Sequence, residues 1–406
     1  MEVSLWSSEP KGLQLKEGVE HMPQHRILTT HAGSLPRPAR LVELYAARVD
    51  GKPIDEDELV REGESATRWV VEQQRKAGID IPSDGEQLRE AFFLYVQRRM
   101  SGFSGTWQRP TRTELDAYPE FTAKWQKNSE GQIAVSNFEP PKATGPIAYA
   151  DIDANEAELD TFAAALKELG GEFTDAFMTA PSPGIVAAAM KNEHYASEDD
   201  YLDALAEALR VEYESAHRHG YLLQIDAPDL ALERHLSYAD RPIGDFVGFI
   251  ERVIARINSA LRNVPRERVR LHVCWGNYES PHDKDVALKE ILPAILQADV
   301  GAFLLPFANP RHQHEIKLFR DAPLAPDQSL IVGVIDTLTN FVEHPEVVAD
   351  RLERAAEMVG DPKRIQAGTD CGFDTSAGMG RLTADVVWAK LKAMQEGARI
   401  ASERLM

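Results

Sequence analysis

The sequence predicts an α/β fold: a (β/α)8 TIM barrel with an insertion near the barrel mouth. Three observations point there. Short apolar runs alternate with helical patterns, the rhythm of parallel strands joined by crossover helices. Eight such runs occur, which suits a closed barrel better than an open sheet. Ionisable residues follow one strand after another, and barrel enzymes build their sites at those ends.

The strand candidates, in order, are 26–30 (RILTT), 79–82, 175–179 (DAFMT), 221–225 (YLLQI), 269–274 (VRLHVC), 301–305 (GAFLL), 330–335 (LIVGVI) and 365–369 (IQAGT). Helical periodicity falls at 57–76, 199–219, 242–262, 285–297, 345–358 and 383–403. The stretch 101–147 breaks the rhythm with Trp107, Trp125 and the run EPPKATGP. It reads either as a hairpin arm over the mouth or as a plain surface excursion. Residues 1–25 read as a polar leader, mobile or draped over the surface, and 26–406 as one barrel domain.

Composition narrows the function classes. Lys plus Arg number 45 against 65 Asp plus Glu, a net charge of −20. Most of such a surface repels a polyanion, so no nucleic-acid partner is expected. No apolar run reaches membrane-spanning length and the N-terminus has no signal-peptide core, so a cytoplasmic location is the default. A homodimer is the default assembly. No glycine-rich dinucleotide or Walker loop and no Gly-x-Ser-x-Gly elbow is present.

The polar residues at the strand ends are the informative ones. His31-Ala32-Gly33-Ser34 follows the first run, Asp84-Gly85-Glu86 the second, Asp226 the fourth, and Asp370-Cys371 the last. His272 and Cys274 stand two apart on the fifth, and side chains two apart on a strand share a face. The chain has only two cysteines, Cys274 and Cys371. A disulfide or two inert core thiols are the bland alternatives. Grouped with His272, they make a His/Cys/Cys set for tetrahedral zinc with one position left open.

In these stretches the chain resembles the catalytic domain of cobalamin-independent methionine synthase. It looks closer still to shorter single-domain relatives, which include epoxyalkane:coenzyme M transferase. The matching segments are TTHAGSLPRP (29–38), GIDIPSDGE (78–86), LQIDAPDL (223–230), LHVCWGN (271–277), FANPRHQHE (307–315) and GTDCGFDT (368–375). The resemblance implies a (β/α)8 barrel whose Zn2+ activates a small-molecule thiol for transfer of a methyl or alkyl group from a donor. It implies zinc ligands at His272, Cys274 and Cys371. It implies that the 31–34 loop, with His31, Gly33 and Ser34, binds the carboxylate end of homocysteine. Glu86 and Asp226 would hold the ammonium group.

Two departures stand out. Close relatives carry a zinc-binding glutamate where this chain has Pro306, which leaves His312, His314 and Glu315 as candidates for a replacement ligand. A histidine that the larger synthases carry after the seventh strand is matched here by Leu338 or a neighbour. A thiol bearing a sulfonate would need cations, for which Arg37, Arg75 and Arg311 are candidates. Two competing readings follow: a zinc lyase or hydrolase with Glu86, Asp226 or Asp370 as general base, and a binding protein that has lost its metal.

Overall fold

The computed structural model describes residues 26–129, 131–136, 138–170 and 173–406. The leader expected at 1–25 lies outside them.

Six parallel strands run in sequence order: β3 (Phe177–Pro181), β4 (Leu222–Asp226), β5 (Val269–His272), β6 (Ala302–Pro306), β7 (Ser329–Ile335) and β8 (Ile365–Thr369). They match the expected runs within a few residues. Preceding them, β1 (Met100–Ser104) and β2 (Lys142–Tyr149) form a separate antiparallel pair.

The two N-terminal runs close the ring without being full strands. The Thr30 amide donates to the Ala367 carbonyl (2.9 Å) and the Ala367 amide to that of Leu28 (2.8 Å), tying 27–30 to β8. The Ile81 amide donates to the Thr29 carbonyl (3.1 Å) and the Phe177 amide to that of Pro82 (2.9 Å), so 79–82 bridges to β3. Side chains take ladder positions here. The Thr29 amide donates to Asp80 Oδ2 (2.8 Å) and the Asp80 amide to Thr29 Oγ1 (3.1 Å). The carboxylate thus takes a carbonyl's place, the hydroxyl shares the Asp80 amide with the Thr29 carbonyl (3.2 Å), and Pro82 has no amide to give, so the ladder stays irregular.

The main core lies between sheet and helices. Leu223, Ile225, Leu271, Phe303, Leu305 and Val332 are buried in one cluster with helix residues such as Leu205, Leu209, Ile250 and Ile254. Burial on both faces explains why these strands read as apolar runs. Alternate residues turn into the barrel. There Arg270 donates to Thr30 Oγ1 (2.9 Å) and the His31 carbonyl (2.9 Å), with its guanidinium 3.5 Å from the Phe177 ring centre. An arginine so enclosed is held by hydrogen bonds and cation–π contact rather than by solvent.

Helices follow the strands as expected. Glu56–Ala77 starts at Asp55, whose carboxylate accepts from the Asp57 and Glu58 amides, and ends at left-handed Gly78. Helices not expected from periodicity include Ala39–Val49, Ile152–Leu169 and Pro183–Ala189.

The stretch 101–147 extends from the β1–β2 hairpin. The Trp107 amide donates to Pro140 and the Arg109 amide to Phe138, carrying the pairing past the strands. Two helices, Thr113–Ala117 and Pro119–Ser129, form its far end. It is pinned to the barrel loops by an Arg109–Glu233 ion pair (2.7 Å), Tyr118 Oη donating to Asp283 (3.0 Å), and the Val135 amide donating to Ala377 (2.8 Å). No helix among the described residues is long and apolar enough to cross a membrane.

Candidate metal and thiol site

Register brings the site together. Pro181, Asp226, His272 and Leu304 are successive partners across β3 to β6, one level at the strands' C-terminal ends. Arg270 and His272 share the inward face of β5, and Cys274 continues the alternation two residues on. On the far side, β8 ends at Thr369 and the chain turns through Asp370 to Cys371. Thr369 Oγ1 accepts the Ala32 amide (3.0 Å) and donates to the Cys371 carbonyl (2.8 Å), which fixes that turn.

His272, Cys274 and Cys371 converge. One ligand atom from each lies within 4.8 Å of the other two, and all three residues are buried. The sulfurs are 3.8 Å apart and both cysteines are free, so they form no disulfide. The Cys371 hydrogen bond and the adjacent His272 hold the Cys274 thiol well below its ordinary range, against burial. The same pairing, with burial, drives Cys371 upward. Burial opposes charge on His272, but Cys274 and Asp226 outweigh it and push its pKa up to about 10. The pocket therefore holds two sulfurs that cannot both ionise without a compensating cation. One imidazole and two thiols at this separation are a donor set suited to zinc.

Asp226 orients the histidine: its Oδ1 lies 2.9 Å from His272 Nδ1 and accepts from Gln224 Nε2 (2.8 Å). Carboxylate behind imidazole is the common support for a metal-binding histidine. Glu86 sits nearby in a left-handed backbone (φ 59) unusual for glutamate. Its amide donates to Asp84 Oδ1 (3.0 Å), and its carbonyl accepts from Arg37 (2.8 Å). Thr179 Oγ1 donates to Glu86 Oε1 (3.1 Å), while the buried Oε2 has no partner among the described residues. Burial, and then the charge of Asp226, push the Glu86 pKa to about 8. An unsatisfied buried carboxylate beside a second acid is poised for a cationic group.

In the 31–34 loop, Gly33 has φ +126, and a Cβ there would fall 2.7 Å from Glu86 Oε1. Ser34 lines the cavity, and its Oγ accepts the Asp374 amide (3.3 Å). His31 is placed differently from the expectation. Its Nε2 pairs with Gln74 Oε1 (2.8 Å) and its Nδ1 accepts the Gly33 amide (3.2 Å), so both nitrogens are used and neither reaches the cavity. His31 braces the loop from behind the cavity wall.

The cavity above the three residues measures about 170 Å3. Glu86, Asp226 and the His/Cys/Cys group line its floor, and Arg112, Trp125 and Phe138 of the 101–147 arm line its wall. Behind the cysteines lies a second chamber of about 30 Å3, bounded by Pro306, Asn309, Asp336 and His312.

None of the three replacement ligands considered for the Pro306 position joins the group. His312 is held between Glu315 Oε2 (2.8 Å) and Asp285 Oδ2 (2.9 Å) and stacks on Trp275. Glu315 Oε1 accepts the Leu288 amide (2.6 Å), and His314 is exposed. Hydrogen bonds to each other, to Asp285 and to the Leu288 amide occupy His312 and Glu315.

The arginines weighed for a sulfonate are also elsewhere. Arg37 spends its guanidinium on Asp374 and on the Glu86 and Arg89 carbonyls, whereas Arg75 and Arg311 are exposed and not on the cavity wall. Asp370, considered as a general base, has both oxygens occupied by the Ala308 (2.9 Å) and Asn309 (2.7 Å) amides. Residues missed in the sequence include Thr179 behind Glu86, Gln224 behind Asp226, and Arg112 and Arg381 on the cavity wall. Arg109 and Arg112 lie in the basic run RPTR, the signal that could have marked the arm's cationic side chains.

Named proteins and solved structures are similar to this chain over most of its length. Methionine synthase of Thermococcus kodakarensis is 27% identical over 383 residues, covering 93% of this chain and 94% of the relative. Methionine synthase of Saccharolobus solfataricus is 26% identical over 381 residues, covering 93% and 95%. The chain resembles methionine synthases of the cobalamin-independent kind. The structure of a B12-independent methionine synthase from a Shewanella species, in complex with selenomethionine, superposes with a TM-score of 0.67 at 22% identity, covering 94% of this chain and 99% of that one. A putative B12-independent methionine synthase from Listeria monocytogenes gives 0.62 at 20% identity, covering 92% and 98%. The likeness to these solved methionine synthases establishes the TIM-barrel fold. No family model matches the chain.

Proposed function

We propose that the protein transfers a methyl or alkyl group to a small-molecule thiol at a zinc ion held by His272, Cys274 and Cys371. The observation that carries this reading is the convergence of one imidazole and two thiols, within 4.8 Å of one another, at the floor of an open cavity. The full-length similarity to proteins named methionine synthase supports methyl transfer to a thiol as the class of reaction. Bound there, zinc would lower the pKa of an incoming thiol and hold its sulfur still.

The chain's own residues would do the rest. Asp226 keeps His272 turned toward the sulfurs. The Glu86 carboxylate, with one oxygen unpartnered, receives an ammonium group, and Ser34 stands on the wall for the carboxylate end of the same amino acid. The 101–147 arm narrows the cavity, excluding water and aligning the donor with the sulfur. Zinc-loaded protein, incubated with homocysteine and methyl donors, tests the reading. Formation of methionine, lost with Cys274→Ser, supports it; no thiol alkylation with any donor removes it.

A further inference from the structure

The cavity wall contributed by the arm carries charge that the floor does not explain. Three arginines reach it: Arg109, Arg112 and Arg381. Arg109 is satisfied by Glu233 at 2.7 Å. Arg112 is not so well matched. Its guanidinium lies 3.4 Å from the Tyr278 ring centre, and its one carboxylate neighbour, Glu114, is 3.8 Å away. Glu114 is itself engaged by Ser280. Arg381, on the loop after β8, makes no hydrogen bond or ion pair with any described residue and is half-buried. Burial lowers the proton affinity of Arg112, and Arg381 adds to that lowering, so the two guanidiniums sense each other. Two cations against one carboxylate leave a surplus positive charge in a partly desolvated wall, which is unfavourable unless an anion meets it.

We infer that Arg112 and Arg381 form an anion-binding subsite, which receives a carboxylate, phosphate or sulfonate carried by a co-substrate lying in the cavity. The inference rests on the proposed reading of this cavity as a two-substrate site. Guanidinium forks suit such groups, because each can donate two parallel hydrogen bonds to a planar or tetrahedral oxyanion. Trp125 and Phe138 beside them supply apolar surface for the body of the same molecule. The subsite also gives the cavity polarity, with acids and sulfurs at the floor and cations on the wall, so a ligand with an anionic tail enters in one orientation. The arm thereby becomes a specificity element, since Arg112 belongs to it.

The experiment is a thermal-shift titration at constant ionic strength with three probes: acetate, inorganic phosphate and methanesulfonate. Zinc content is measured on the same samples. At least one probe is expected to raise Tm saturably, and the best of the three identifies the chemistry. Arg381→Gln and Arg112→Gln should each raise the half-saturating concentration about tenfold or more, the loss of a charge-assisted hydrogen bond. Arg381→Gln, on a loop, should keep its zinc. The inference is overturned if no probe saturates, or if both variants titrate like the parent. Anion binding without zinc would remove the metal reading alone; zinc without anion binding would remove this one alone.

Discussion

Asp226 Oδ1 and His272 Nδ1 lie 2.9 Å apart across one rung of the β4–β5 ladder. The contact holds the imidazole ring in place, with its Nε2 3.3 Å from the Asp370 carbonyl. Removing such a support commonly costs metal affinity about 10–100-fold. Asp226→Ala is therefore expected to weaken zinc binding by about that factor, measured by chelator competition, with little change in circular dichroism. Asp226→Asn, whose amide oxygen still accepts a hydrogen bond, should lose less. Equal affinity in all three proteins would remove the orienting role.

Gly33 tests the loop that faces Glu86. A Cβ at Gly33 would meet Glu86 Oε1 at 2.7 Å and Thr179 Cγ2 at 2.8 Å, from a backbone with φ +126. Gly33→Ala should cost about 1–3 kcal/mol in denaturant unfolding. It should also displace Glu86 and raise the KM for an amino-acid thiol more than it lowers kcat.

Glu86 gives a pH dependence with a definite sign. Its pKa rises from an ordinary 4.5 to about 8 because burial and Asp226 disfavour its charge. The folded state then holds a proton that the unfolded chain has released. Stability from this group is full below about pH 4.5 and declines as pH rises toward 8. Glu86→Gln should flatten that decline in urea midpoints of the metal-free protein. An amine bound beside Glu86 should reduce it as well, because a cation restores the charged form.

Behind Glu86 stands a buried ion network. Arg89 reaches Glu158 at 2.8 Å and Arg99 reaches it at 2.6 Å, and Arg89 also donates to the Thr179 carbonyl (2.8 Å) and hydroxyl (3.1 Å). Burial works against the Glu158 charge, but the two arginines outweigh it and hold the pKa down to about 2. Glu158→Ala would leave two buried cations to share Glu212, 3.6 Å from Arg89 and 3.7 Å from Arg99, and should cost about 3 kcal/mol, read in chemical denaturation. Arg89, which also holds Thr179, would lose its closest counter-charge, so Thr179 and with it Glu86 should shift as a secondary effect.

How much of this was legible in the sequence depends on the range of each interaction. The spacing of His272 and Cys274 put both on one strand face, because the two-residue period of a strand is local. Their meeting with Cys371 needed the ring to close, which the eightfold rhythm and the family resemblance pointed to but local pattern could not show. The irregular segments 27–30 and 79–82 looked like ordinary strands, because the replacement of ladder bonds by Thr29 and Asp80 is a long-range side-chain event. His31 looked available until Gln74, on the Glu56–Ala77 helix, took its Nε2. Arg112 and Arg381 were not singled out, since neither sits on a periodic element and their approach joins the arm to the last barrel loop. His312 and Glu315 were candidate ligands by proximity in sequence, but their bonds to each other, to Asp285 and to the Leu288 amide turn them away.

In the proposed function one zinc sits on these three side chains and keeps a place for a substrate sulfur. X-ray absorption at the zinc edge tests it most directly, on protein prepared without chelators and then given homocysteine. The expected result is one zinc per chain with two sulfurs at about 2.3 Å and nitrogen or oxygen at about 2.0–2.1 Å, the sulfur count rising to three when the thiol is added. Protein without stoichiometric zinc, or a sulfur count that homocysteine leaves unchanged, would contradict it.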